Sequence, residues 1–586
     1  MKTRSKTKTR SKSTKAPPVD YGRLWPLGAG MPGPARGAVL AALPRAARRC
    51  LRATCRAGRA AVDACITSVS LLGRDRTEAT PALAAAAPRL PALRRVDFGT
   101  AYDIAEADAP AAALEALAPA LTDVSVSFHR MNDTAHLPWG AAVARLAAAL
   151  ARCPRLEAAT LKVPPSTCRG LVARLVDAAP GLTKLTLSAG YGFVAPPETL
   201  DLPWHQLQEV EIDSLTPLLP RLCERPGGLP ALRGLELGGD MRGLPALWAA
   251  PWLTQLTRLE LRGWGDHGRG DGGGPLAGLP SAGLELPALQ ELVVATTYYR
   301  AAISPADAAC LAACRLPALR RLSLRAVAPG ALPPLMGAGW AAGLRDLSLQ
   351  SGFPTWFGAA GAAALARPSA LTRLQVLNIV PRSEDEHTLV PPMDPAAFGA
   401  LLSAPWAETL QDLRLYGQPL GGGAAGDAAA RALAAARLPR LHALELGHAS
   451  LTAASVAALS AAPWLCGLTA LKFDRNPALT SRIGELARLD LRALASFTYE
   501  DYSADCGVTG GEVGRLGRAA WLPLLEVVDI SVQAELGRPS KPMEHYRAAG
   551  AALLDEDGPF KACAARGGQA HKISLAPPGG YSGMYV

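Results

Sequence analysis

A short pattern, Leu-x-x-Leu-x-Leu, recurs along this chain and restricts its fold more than any other feature. It stands as Leu232-Arg-Gly-Leu235-Glu-Leu237, as Leu256-Thr-Arg-Leu259-Glu-Leu261 and as Leu319-Arg-Arg-Leu322-Ser-Leu324, and it returns at Leu410 and Leu441. With Val, Ile, Phe, Ala or Tyr admitted at the apolar places there are sixteen copies. They open at Leu93, Leu121, Leu156, Leu182, Leu207, Leu232, Leu256, Leu289, Leu319, Leu344, Leu374, Leu410, Leu441, Leu468, Leu494 and Leu525, with 24 to 36 residues between successive starts. A fixed short segment followed by a variable return is the mark of a solenoid.

The last two apolar places lie two residues apart, which is the period of a strand with one face buried. The stretch that follows is rich in Ala and Leu at helical spacing, as in Ala141–Leu150 and Ala453–Ser460. Each unit therefore reads as strand, turn, helix and return loop. One unit cannot cover its own apolar edge, so the units must stack. The return loop carries Leu-Pro-Ala-Leu at Leu90, Leu229, Leu286 and Leu316, and Pro-Trp at Trp139, Trp204, Trp252, Trp406 and Trp464. Proline stops the helix before it. Trp252, Trp340, Trp406, Trp464 and Trp521 each precede an opening Leu by four residues, which suits an indole filling the corner between helix end and strand start.

On these residues the chain resembles the leucine-rich repeat family in its long, ribonuclease-inhibitor-like form, from Leu93 to Ile530. The resemblance implies an α/β horseshoe, with parallel strands on the concave face and helices on the convex face. The family's polar residue after the strand is present at Asn476, while Ala449 and Gln418 take its place elsewhere. That loss predicts irregular turns on the same fold.

The chain has 586 residues, a length that ordinarily suggests several domains, but a solenoid core grows along one axis. The 11 cysteines are an odd number without paired spacing, so a reducing compartment, cytoplasmic or nuclear, is expected. Cys310 and Cys314 stand one helical turn apart and read as packed helix residues. No apolar run is long enough and free enough of charge and Pro to span a bilayer, and no secretory h-region is visible at the N-terminus.

Residues 1–20 form a basic tail expected to be disordered; Lys2, Arg4, Lys6, Lys8, Arg10, Lys12 and Lys15 supply seven of the net +11 charges. A solvated tail, nuclear import, organelle targeting and contact with nucleic acid or an anionic membrane all remain open for it. Elsewhere no helix-turn-helix, RNP-like motif or zinc-finger spacing occurs, so nucleic acid is not expected as a partner of the body.

Residues 31–65 read as short helices broken near Leu43-Pro44. One reading is a cap over the first repeat. The segment also resembles a degenerate F-box, the module that docks a substrate receptor on the adaptor of a cullin-RING ubiquitin ligase. Met31-Pro32 falls on the family's opening Leu-Pro. Val39, Leu40 and Leu43 fall on its first apolar cluster, and Leu51 and Cys55 on its closing helix. Arg36 and Gly58 depart from the family, which has an apolar residue and Trp there. The resemblance implies adaptor contact through Pro32, Val39, Leu40, Leu43, Leu51 and Cys55, and Asp63–Ser70 reads as a first strand. The solenoid is expected over 66–535, a C-terminal cap over 536–566 and a flexible Gly/Pro-rich tail over 567–586.

Residues two, four and six places after each opening Leu project from the strand's open face. Over all copies these places hold fourteen acids and nine bases, so the wall is net acidic on a basic protein. Glu209, Glu211, Asp213, Glu236, Glu260 and Glu291 come from four successive units and should lie close together. A wall of one sign attracts the other, which points to a protein partner with a basic segment. The nine histidines form no metal-ligand spacing, and Gly268–Gly274 lacks the Lys of a phosphate-cradling loop. No catalytic constellation, metal site or cofactor is therefore expected, and the chain reads as a binding protein.

Overall fold

In this computed structural model the chain is described for most of residues 66–533 and for 572–576. Residues 1–65, 534–571 and 577–586 lie outside the described residues, as do several internal stretches, the longest being 163–180. The basic tail, the F-box-like positions Pro32, Val39, Leu40, Leu43, Leu51 and Cys55, and the C-terminal cap all fall outside them.

The described strands number eighteen. They are Ser68–Ser70 (β1), Arg95–Ala101 (β2), Asp123–Phe128 (β3), Ala158–Lys162 (β4), Lys184–Ser188 (β5), Glu209–Asp213 (β6), Gly234–Gly239 (β7), Arg258–Gly263 (β8) and Glu291–Thr296 (β9). Then come Arg321–Arg325 (β10), Asp346–Ser351 (β11), Val376–Pro381 (β12), Asp412–Leu415 (β13), Ala443–Glu445 (β14), Ala470–Asp474 (β15), Ser496–Asp501 (β16), Val527–Gln533 (β17) and Lys572–Ala576 (β18). Strands β2 to β17 each begin two residues after one of the sixteen opening leucines.

Every strand pairs in parallel with its neighbours in the chain, from β1–β2 to β17–β18, so the sheet runs in sequence order. The register is fixed by the repeat: Leu235 lies opposite Val210 and Leu259, and Leu237 opposite Ile212 and Leu261. Helices such as Pro395–Leu402, Ala424–Ala435 and Ala453–Leu459 pack side by side in a second layer. The protein is an open parallel α/β solenoid.

None of the sixteen opening leucines is more than 5% exposed, and they join one continuous apolar core. Truncating any one to Ala would remove about 2–5 kcal/mol, because its repeat cannot collapse onto the void without parting from two neighbours. The corner tryptophans are buried with them. Trp340 Nε1 donates to Leu311 O at 3.3 Å, Trp406 Nε1 to Leu365 O at 2.9 Å and Trp521 Nε1 to Leu486 O at 3.3 Å. At Trp406 the indole fills a corner and satisfies the helix-end carbonyl of Leu365, whereas the Leu311 and Leu486 carbonyls also accept from Cys314 N and Leu489 N, so there the indole adds a second bond.

Asn476 joins the turns that follow β14 and β15. Its Oδ1 accepts from Ala449 N and Leu451 N at 3.1 and 3.2 Å, and its Nδ2 donates to Leu446 O and Asp474 O, both at 2.9 Å. The turns around it are irregular: His448 and Arg475 sit at φ 49° and 47°, in the left-handed region that non-glycine residues seldom occupy.

The C-terminal end departs from the sequence reading. Residues 567–586 were expected as a flexible Gly/Pro-rich tail, yet Lys572–Ala576 is a strand that pairs with β17, Ile573 opposite Ile530. By that register Ile573 takes the third apolar place, so the opening and second places fall on Gly568 and His571 and the pattern is lost there. That opening place lies 43 residues after Leu525, beyond the spacing of the other copies.

Candidate functional site

Parallel pairing without slippage turns each outward position of the repeat into a row that crosses the sheet. The middle row runs Thr186, Glu211, Glu236, Glu260 along β5 to β8, each residue opposite the next. The row nearer the strand starts runs Lys184, Glu209, Gly234, Arg258, Glu291, Arg321, Asp346 along β5 to β11.

That outer row is a ladder of alternating charge. Lys184 Nζ lies 2.6 Å from Glu209, Arg258 Nε 3.7 Å from Glu291, Arg321 Nη1 3.4 Å from Glu291 and Arg321 Nε 3.2 Å from Asp346. Exposed pairs of this kind contribute a few tenths of a kcal/mol to about 1 kcal/mol each. Their main effect is to fix which charges meet solvent and where. The ladder is broken at Gly234, which has no side chain to offer. A Cβ there would sit 3.3 Å from Glu209 Cγ, so the gap is bordered closely on one side.

Beside that gap is a shallow, solvent-open depression. It is lined by Lys184, Thr186, Glu209, Val210, Glu211, Gly234, Leu235, Glu236 and Arg258, so three carboxylates face it together with two cations, each of which is already bridged. Thr186 Oγ1 donates to Glu211 at 3.0 Å. Arg262 Nη1 lies 2.6 Å from Glu236, Arg262 Nε 2.7 Å from Glu260, and Arg258 Nη2 2.7 Å from Glu260 and 3.8 Å from Glu236.

Two guanidinium groups thus cover the β8 end of the carboxylate row, while Glu211, at the β6 end, is left with a hydroxyl. Burial pushes the Glu236 carboxyl up to about 7, aided by the charges of Glu211 and Glu260 and by a hydrogen bond to Glu211, against the opposing pull of Arg262. Near neutral pH the Glu236 carboxyl therefore holds its proton for part of the time. A cationic group entering the notch would take the proton's place.

Glu211, Glu236 and Glu260 are thus brought together in one row, and Glu209 and Glu291 flank them in the next. Asp213 falls in a third row, opposite Ser188 and Gly238, and its side chain lies outside the described residues. Counting charges along the chain missed two things. One is that Arg258 and Arg262 lie directly across the cluster and lower its net field. The other is the notch: Gly234 occupies the place two after Leu232, so the signal was present in the repeat arithmetic.

A second ion cluster occupies β14 to β16. Lys472 Nζ lies 3.2 Å from Glu445 and 2.7 Å from Asp474, and Asp474 also accepts from Glu500 N at 3.2 Å. Burial drives the Asp474 carboxyl up to about 6, and the Lys472 ammonium opposes the shift.

Fold and site together define an α/β solenoid with a polar, mixed-charge strand face. No family model matches the chain, and no curated protein matches it. Among solved structures it is similar to a chain in the crystal structure of the Rad7 and Elc1 complex in yeast, with 15% identity and a TM-score of 0.33. That match covers 59% of this chain and 84% of the other, and at that score the likeness carries no inference about function. No helix among the described residues is long and apolar enough to cross a membrane.

Proposed function

We propose that this chain is a protein-binding solenoid whose strand face captures a partner's basic segment at the Gly234 notch. The observation that carries this is the in-register row Glu211–Glu236–Glu260 beside a position with no side chain. A lysine or arginine side chain is long and slender enough to pass Gly234. It would reach the Glu211–Glu236 pair, and it would be held there without displacing the Arg258 and Arg262 bridges. The role is binding, not catalysis.

We further propose that the chain serves as a substrate-recognition subunit of a cullin-RING ubiquitin ligase. The resemblance of residues 31–65 to an F-box, placed directly before the repeats, supports this. The test is recovery of the ligase adaptor with the full chain, against a variant carrying Val39→Asp, Leu40→Asp and Leu43→Asp. Recovery with the unaltered chain and loss with the variant is expected; no adaptor with either removes the ligase reading.

A specific observation favours a second reading, a ligase-independent scaffold. β1 is the first strand of the described sheet and pairs only with β2 among the described residues, so its other edge needs cover. Helices in 31–65 would supply that cover as a cap. A chain that loses stability when the three apolar residues are changed, and recovers no adaptor, fits this reading.

A further inference from the structure

The edge of the solenoid where the strands begin carries a charge pattern unlike that of the strand face. From the repeat of β10 to that of β14, this edge presents Arg315, Arg320, Arg345, Arg367, Arg373 and Arg440, with Arg437 beside the last. Arg320 and Arg345 are neighbours across the sheet, since Arg345 N donates to Arg320 O at 2.7 Å. Arg320 also donates from Nη1 to Pro317 O and Leu319 O at 3.3 and 3.0 Å, which pins its guanidinium to the corner of its own repeat. Gly343 makes room for this layer, since a Cβ there would stand 3.1 Å from Arg320 Nη1, and Arg367 Nη1 lies 3.8 Å from where a Cβ on Gly337 would stand. The guanidinium groups of Arg320 and Arg367 therefore flank the same return loop.

The acids described on this edge are already bridged. Glu285 lies 3.3 Å from Arg315, and Glu408 lies 3.7 Å from Arg437. Arg345, Arg367, Arg373 and Arg440 are exposed and have no carboxylate within ion-pair distance among the described residues. Arg345, Arg367 and Arg373 cluster between the starts of β11 and β12 and Arg440 stands at the start of β14, with the bridged Glu408 between them, so the uncompensated charge along this edge is of one sign. Arginine is the residue best shaped to meet carboxylates or phosphates in pairs.

We propose that this strip, over β10 to β14, is a second docking surface, and that it takes an extended acidic peptide segment. Five strands at about 4.8 Å spacing extend roughly 20 Å, the length of about six extended residues. Three observations favour a peptide over nucleic acid. The tryptophans of this edge, Trp340 and Trp406, are buried in the core, so no aromatic face is offered to a base. Leu524 is the large apolar side chain left exposed among the described residues, and it lies elsewhere. On the strand face beside this edge, Arg321 bridges Glu291 and Asp346 and Arg414 bridges Asp412, so the uncompensated positive charge is confined to the narrow edge, which suits a single extended strand of carboxylates.

The test uses the full chain and a fluorescent oligo-glutamate peptide, with binding read by anisotropy. It compares the unaltered protein, Arg345→Glu/Arg373→Glu/Arg440→Glu, and the same three positions changed to Gln. All three side chains are exposed, and a thermal melt checks that each variant folds; if the Glu set does not, the Gln set gives the result. The basic tail at Met1–Lys15 is common to all three proteins, so its contribution cancels. Binding that weakens with added salt, and by about tenfold or more on charge reversal, is expected. Glu211→Lys/Glu236→Lys should leave it intact. Equal binding by the reversed protein, no binding by the unaltered one, or tighter binding of a single-stranded oligonucleotide of matched charge overturns the proposal.

Discussion

Arg262 Nη1 lies 2.6 Å from Glu236 one strand away, yet the Glu236 carboxyl is driven up to about 7. Burial, with the charges of Glu211 and Glu260 beside it, outweighs the pull of Arg262. Folded Glu236 holds its proton to about pH 7, while its ordinary value is 4.5. The folded state therefore binds more protons between those values, and this group's contribution to stability is full below about 4.5 and lost as pH rises through about 7. Glu236→Gln removes that loss. We expect the variant to gain on the order of 1–2 kcal/mol relative to the unaltered chain on going from pH 4.5 to pH 8, read as the difference between two denaturant-unfolding series. Asp474, whose carboxyl sits near 6, titrates in both proteins and cancels in the comparison.

Asn476 ties two repeats together through four buried hydrogen bonds to main-chain groups. Asn476→Ala leaves those groups without partners inside the turn. The expected loss is about 2–4 kcal/mol, measured as a lower urea midpoint at unchanged slope. Protection of the amides of Ala449 and Leu451 from hydrogen exchange should fall first.

The corner tryptophans offer a matched pair. Trp406 Nε1 donates to Leu365 O at 2.9 Å, whereas Trp464 Nε1 has no hydrogen-bond partner. Both rings are buried. Substituting Phe costs ring volume at either place, but only at Trp406 does it leave a carbonyl unsatisfied. Trp406→Phe should therefore be more destabilising than Trp464→Phe by about 1 kcal/mol in parallel thermal or denaturant melts. Equal losses would mean that the indole bond does not help hold the corner.

Strand positions were legible because Leu-x-x-Leu-x-Leu is both a packing demand and a phase marker. The opening Leu must be buried, and β2 to β17 all start two residues later. β1 follows the same rule from Ile66, with Val69 and Leu71 in the next apolar places. β18 escaped because the opening and second apolar places that its pairing defines hold Gly568 and His571, and a long insertion precedes it. The site was legible only in part. Row membership follows from repeat arithmetic, so Glu211, Glu236 and Glu260 fall together. Whether charges in adjacent rows meet depends on side-chain reach, and Arg258 and Arg262 bridging back over the carboxylates is not a property of spacing. The absent side chain at Gly234 defines the notch, and a pattern scored by its charged members passes over it.

The most direct measurement of the central claim is the association rate of a lysine-rich peptide with the full chain at low salt, by stopped-flow fluorescence, with and without Glu211→Lys/Glu236→Lys. The account predicts that reversal slows association by roughly tenfold at low salt, and that the two proteins converge as salt is raised. Equal rates at low salt, with both proteins folded by thermal melt, would contradict it.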